Sequence, residues 1–423
     1  MNAYKKSVLS NGVRVVTEQH AYSKSVAIGV WVLTGTRDEA PDEVGLSHFV
    51  EHLVFKRTKT RNTYQIANSL ESIGGDLNAY TTREYTNYHC LVLKEDWKIG
   101  LEVLADLACN MKILKKDFEL EKKVILQEIA MSDDTPEELI YDYFYEGVYK
   151  NHPLGRQILG LSETIEKMTQ KKVIEFYKHF YQGKNLIISA AGPIDHDQFV
   201  IQCQKHFKTR KQFNEKVTRR APRWKTHRQI YERDMEQAHL LVGFPAASFY
   251  DKLRFESFIL NALLGGGMAS RLYQAIREKQ GLAYTVFSSL NTNVDSGNIS
   301  VYAGTDSNNI KKVLRIVADE LLKIKKQGIK AKDINLFKTQ VRGQLLMGSD
   351  EIENRMASLG LNEMIFEKYK SVDHVITEIE KVTEKSMNEY IKKYLDLSKA
   401  AVVLIGPHLE PHRDWLNKFN FAK

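Results

Sequence analysis

The chain has 423 residues, 43% hydrophobic and 27% charged, which is length and apolar content for more than one core. No window approaches about 18 consecutive apolar residues, which excludes a transmembrane helix. The N-terminus has no apolar leader segment, so a cytoplasmic location and no membrane partner are expected. The net charge of +8 comes from a single stretch, 208–228, with nine basic residues against one acidic residue, Glu215. A solvated linker is expected there, not a nucleic-acid surface. Three widely separated cysteines, Cys90, Cys109 and Cys203, read as reduced core thiols.

Asn11-Gly12 predicts a hairpin turn. Alternation and apolar runs predict strands over 13–18 and 25–34, then a polar loop over 35–44 and a helix containing His48. A helix over 64–73 is stopped by Gly74-Gly75, and 76–94 predicts two strands around a turn near Arg83-Glu84. Helices are expected over 97–114, 117–131, 136–149, 162–180 and 195–207, with a Pro/Gly loop at 151–160 and a strand over 186–192. After the basic stretch the order repeats. Strands at 239–242, 283–290, 298–304 and 400–405 accompany helices at 254–264, 309–326, 333–346, 351–365 and 372–395.

The repeat survives residue-level comparison: 47–54 aligns with 257–264, and 117–131 with 333–347. The fold class expected is therefore α+β, with two tandem homologous α/β-roll domains, each a mostly antiparallel sheet packed with helices. Their expected bounds are 1–207 and 229–423, with 208–228 as the basic linker.

The stretch HFVEHLVF contains H-x-x-E-H. On a helix His48 and His52 leave one face a turn apart and can share a tetrahedral metal. Glu51 hangs beside them, where a base for a metal-activated water belongs. Apolar Leu46, Phe49, Val50, Leu53, Val54 and Phe55 make this helix a buried one, and buried imidazoles need partners.

A catalytic zinc takes a third protein ligand. The helix over 117–131 offers Glu119, Glu121 and Glu128. Glu121 and Glu128 are two turns apart on an apolar face, and spacing does not choose between them. One could ligate while the other holds a ligand histidine. The repeat supplies an internal control. At the aligned positions His48, Glu51 and His52 become Phe258, Asn261 and Ala262, and Glu121 and Glu128 become Phe337 and Gln344. The apolar pattern persists while the candidate ligands vanish, which favours chemistry in the first half.

HFVEHLVFK followed by LEKKVILQEI resembles the pitrilysin-type, or inverted-zincin, metallopeptidases, on the processing-peptidase-like side of that family. The resemblance covers nearly the whole chain. It implies that Glu128, 76 residues after His52, is the third Zn²⁺ ligand, and that Glu121 is the acidic residue kept beside the site. It implies that Asn78 and Ala79, within NAYT, belong to an edge strand that pairs with extended substrate, and that Phe55 lines the pocket just past the scissile bond. HPLGRQILG also resembles a family loop. In the second half, Arg277 and Tyr284 match a pair that binds substrate backbone and the developing oxyanion. Arg57 stands where processing-type relatives tend to have glycine.

The resemblance implies a zinc-dependent endopeptidase, with Glu51 as base, cutting unfolded peptides or presequence-like segments inside a closed chamber. Each chain would form a half-shell, with 1–207 catalytic and 229–423 metal-free and substrate-binding. A homodimer is expected. A catalytic subunit of a heterodimeric processing peptidase is the alternative, and a non-catalytic core subunit of the same fold the less favoured one.

Overall fold

The structure, a computed structural model, describes residues 4–207 and 218–422; the 208–217 part of the basic stretch lies outside them. In chain order the strands are β1 (Tyr4–Val8), β2 (Arg14–Gln19), β3 (Ser25–Val32), β4 (Asp76–Thr81), β5 (Thr86–Leu93), β6 (Leu186–Gly192), β7 (Arg228–Glu232), β8 (Ala238–Pro245), β9 (Ala283–Thr292), β10 (Gly297–Thr305) and β11 (Ala401–Gly406). The helices are α1 (Leu46–Val54), α2 (Thr63–Glu71), α3 (Trp97–Asn110), α4 (Lys115–Asp133), α5 (Pro136–Val148), α6 (Ser162–Lys167), α7 (Gln170–Phe180), α8 (His196–His206), α9 (Arg254–Gly265), α10 (Ile310–Gln327), α11 (Ala331–Gly348), α12 (Ile352–Phe366), α13 (Val372–Glu380), α14 (Glu384–Tyr394) and α15 (Arg413–Lys418). Among the described residues no helix is long and apolar enough to cross a membrane.

The two sheets share one plan. The first has strand order β1-β2-β6-β3-β5-β4 and the second β7-β11-β8-β10-β9. In the first, β2 and β6 are parallel and the other pairs antiparallel. In the second, β7 and β11 are the parallel pair. Strand for strand, β2, β6, β3, β5 and β4 correspond to β7, β11, β8, β10 and β9. Mixed sheets that are mostly antiparallel, packed with helices and repeated in tandem, are the α+β arrangement read from the sequence.

The continuous apolar run of β3 is explained by coverage of both sheet faces. Val26, Ile28, Val30 and Val32 point into a core shared with α1, α3, α7 and α8. Ala27 and Trp31, one step out of phase, point to the opposite face, where Met356 and Leu359 of α12 cover them. Helix α12 can approach this closely because Gly360 lies against Trp31, where a Cβ would fall 2.1 Å from Cε2. Arg14 and Lys6 bind the buried Glu363 of α12 at 3.1 and 2.8 Å. In the second sheet Leu240, Val242 and Phe244 face one core. Leu241, Tyr302, Val403 and Ile405 face another, formed with Leu139, Ile140, Phe144 and Val148 of α5.

The compact units are therefore not contiguous in sequence. One comprises Met1–Met131, Arg156–Arg219 and Met347–Lys370; the other Ser132–Gly155, Arg220–Leu346 and Ser371–Lys423. The helix α5, encoded in the first half, belongs to the second unit, and α12, encoded in the second half, belongs to the first. The sequence division at 208–228 does not contain this exchange, because periodicity tells which face of a helix is buried but not which sheet it covers. Nor is the described part of that stretch a bare solvated linker. Arg219 pairs with Asp38 at 2.7 Å, Trp224 Nε1 donates to the Lys399 carbonyl at 2.8 Å, and Arg228 opens β7.

Two helices expected as continuous are broken. The 162–180 pattern splits into α6 and α7 because Thr169 leaves the helix and caps Lys172 N. The 372–395 pattern splits into α13 and α14 at Thr383, which forms a capping box with Ser386.

Candidate metal centre and active site

Helix α1 is entered through Gly45, whose φ of 96° only glycine adopts easily. A Cβ there would fall 2.8 Å from Gly160 Cα. Gly45 supplies no side-chain cap. Instead the buried Glu39 accepts hydrogen bonds from Gly45 N at 2.9 Å and Ser47 N at 2.6 Å, placing a carboxyl at the positive end of the helix. Burial pushes that carboxyl up to about 7, against the opposing pull of the Ser47 and Gly45 N–H groups. Arg156, in the HPLGRQILG loop, donates to the Glu39 carbonyl. Leu46, Phe49, Val50, Leu53 and Val54 are buried, and Phe49 stacks on Phe118 of α4 with ring centroids 5.2 Å apart. This packing sets α1 beside α4, so His48, His52, Glu121 and Glu128 converge.

His48 Nε2 lies 3.2 Å from His52 Nε2. Glu128 Oε2 lies 3.3 Å from His52 Nε2 and 3.7 Å from His48 Nε2. Among the described residues these three form the one group able to hold a metal ion, with ligand atoms within 4.8 Å of one another. Neighbouring ligands of a tetrahedral zinc with bonds of about 2.0–2.1 Å stand about 3.3 Å apart, so the donor set fits that ion in both chemistry and spacing.

Glu121 is fully buried and has a different task. Its Oε2 accepts from His52 Nδ1 at 3.2 Å and its Oε1 from Lys56 Nζ at 2.8 Å. The hydrogen bond on Nδ1 fixes the ring orientation and leaves Nε2 facing His48. Lys56, one turn beyond His52, had no signal in the spacing. Lys122 binds the carbonyls of Glu166 and Met168. Arg57 pairs with Asp117 at 3.1 Å, a second tie between the end of α1 and α4.

Electrostatics follow from this packing. Burial and the neighbouring His52 push His48 down, keeping it neutral. Burial opposes charge on His52 too, but the hydrogen bonds it donates to Glu121 and Glu128 outweigh it and hold the metal-free ring up at about 9. Burial pushes Glu51 up, and a hydrogen bond from Thr81 pulls it back. Glu51 leaves α1 beside β4, where the Thr81 hydroxyl donates to its Oε2.

Among the described residues strand β4 pairs only with β5 and is the sheet's edge. It carries Asn78 and Ala79, the first exposed and the second half-buried. Phe55, at the end of α1, is half-buried and lines a cavity of about 170 Å³ with Ile66, Leu70, Glu71, Asp76 and Leu77. Arg277 and Tyr284 lie in the other unit. Arg277 sits on the π-helical turn Tyr273–Glu278 and Tyr284 at the start of the edge strand β9. The Arg277 guanidinium is held between the rings of Tyr273 and Tyr284, at 4.9 and 4.7 Å. Tyr284 is 76% exposed.

The repeated α+β units and this donor set make a candidate metal centre, and comparison with known proteins gives the family. Residues 14–162 match the profile described as Insulinase (Peptidase family M16), and residues 167–341 match that described as Peptidase M16 inactive domain. The chain is 36% identical over 413 residues to an uncharacterized zinc protease of Mycobacterium bovis, covering 96% of this chain and 94% of that one. It is 34% identical to the uncharacterized zinc protease YmxG of Bacillus subtilis, covering 95% and 98%. The chain belongs to peptidase family M16, the pitrilysin-type family. A crystal structure of a protease from Helicobacter pylori shares the fold with a TM-score of 0.89 at 21% identity, covering 96% of this chain and all of that one.

Proposed function

We propose that this chain is a zinc-dependent endopeptidase that cuts extended, unfolded peptides. One observation carries the reading: His48, His52 and Glu128 converge at tetrahedral spacing, with Glu51 on the same helix face beside the edge strand β4. When bound by His48, His52 and Glu128, zinc supplies Lewis-acid polarisation at that point. Strand β4 pairs with the substrate backbone and lays it across α1. Glu51 takes the proton from the attacking water and delivers it to the leaving amine. Glu121 keeps the His52 ring oriented throughout. Arg277 and Tyr284, by resemblance, bind the substrate backbone and donate to the oxyanion.

The same reading assigns a homodimer enclosing the peptide, since one chain carries both the metal set and the Arg277–Tyr284 pair. The discriminating experiment uses the purified single chain. Stoichiometric zinc, cleavage of a quenched peptide and loss of cleavage on chelation are expected, with a folded protein of similar sequence left intact. Zinc binding without cleavage until a different chain is added would favour the heterodimeric form, and absence of zinc the non-catalytic one.

A further inference from the structure

We infer that Thr81 is the residue that aims Glu51, so that the strand offered to the substrate also orients the base. This rests on the reading of Glu51 as the proton carrier. Thr81 is the last residue of β4. Along this strand Leu77, Ala79 and Thr81 are half-buried and alternate with exposed Asp76, Asn78 and Tyr80. Leu77 and Ala79 pack on the core that α1 shares, so Thr81, in phase with them, presents its hydroxyl to the same helix.

The hydroxyl donates its one proton to Glu51 Oε2. Its oxygen lies 3.3 Å from the hydroxyl of Thr86, the residue opposite it on β5. Thr86 is buried and has the Thr34 carbonyl within 3.3 Å. A chain of groups thus runs from Thr34, just past the end of β3, through β5 and β4 to the base.

Two physical features make this a positioning device and not incidental contact. A glutamate has three rotors, and one fixed oxygen removes most of their freedom while leaving Oε1 available to a water. Threonine is β-branched and stiff at χ1, so its hydroxyl direction is set by the strand itself. A peptide pairing with the free edge of β4 holds that strand in place, and through Thr81 it holds the carboxylate. Substrate docking and orientation of the base become one event.

The test compares zinc-loaded wild type with T81V, T81S, T86V and E51Q on a quenched peptide. In T81V, kcat falls about 10- to 100-fold while KM, zinc stoichiometry and thermal midpoint stay near wild type. T81S recovers most of kcat, T86V loses less than T81V, and T81V/E51Q is no slower than E51Q, because Thr81 acts only through Glu51. T81V with wild-type kcat, or T81S as impaired as T81V, overturns the assignment. If T81V does not fold, T81A against T81S makes the same comparison. Wild-type activity in E51Q overturns instead the reading of Glu51 on which this one rests. An intact effect of E51Q beside a silent T81V removes Thr81 alone.

Discussion

His52 gives its Nδ1 proton to Glu121 at 3.2 Å and thereby turns Nε2 toward His48. The two glutamates of α4 thus divide the histidine between them, one on each ring nitrogen. Their separation of two helical turns, which left their roles open in the sequence, is the spacing that lets one carboxylate reach each side of the ring.

Exchange of Glu121 for Gln separates orientation from ligation. Zinc affinity is expected to fall about 10- to 100-fold, with stoichiometric binding restored at high zinc. Glu128→Gln, which removes a ligand atom, is expected to abolish tight binding. Competition against a chelating dye measures both.

Glu51→Gln is expected to retain zinc and lose about 100- to 10,000-fold in kcat. Elemental zinc analysis beside peptide-cleavage kinetics checks it, and a fully active variant sinks the base assignment.

Zinc binding should depend on pH through His52. In the metal-free chain this ring is held up at about 9 by Glu121 and Glu128 against its burial, so at neutral pH it is protonated. Binding must expel that proton from Nε2. The sign is fixed: affinity rises with pH, about tenfold per unit below 9 for one proton released, and flattens above it. Calorimetric titration in buffers of different ionisation heat counts the proton; a zinc affinity unchanged from pH 6 to 8 contradicts the coupling.

Tyr284→Phe removes a hydroxyl and keeps the ring that holds Arg277. If Tyr284 donates to the oxyanion, kcat falls about 100-fold with zinc content and Arg277 packing unchanged. An unchanged kcat assigns Tyr284 to packing alone.

Gly360→Ala would put a Cβ 2.1 Å from Trp31 Cε2. Overpacking at this contact is expected to cost about 1–3 kcal/mol, read as a lower urea midpoint. It tests the seating of α12 without touching the metal centre.

Much of this was legible in the chain. Strand alternation, the His48–His52 spacing and the loss of those groups in the repeat pointed to two similar units with chemistry in one. The groups around the ligands were hidden for a physical reason. Thr81, Lys56 and Glu39 reach the site because β4 lies beside α1, because α1 ends against α4, and because the loop before α1 folds back on its first turn. No local period records such contacts. The exchange of α5 and α12 was hidden likewise. The breaks at Thr169 and Thr383, inside segments read as continuous helices, fall on N-cap residue types.

The exchange has a consequence for biosynthesis. The face of the first sheet that carries Trp31 stays uncovered until α12, ending at Phe366, has left the ribosome. His48, His52, Glu51 and Glu128 are all made within the first 128 residues, yet the unit that holds them closes only when about seven-eighths of the chain exists. The order of synthesis therefore keeps the unit that holds these four residues unfinished until nearly all of the molecule is present.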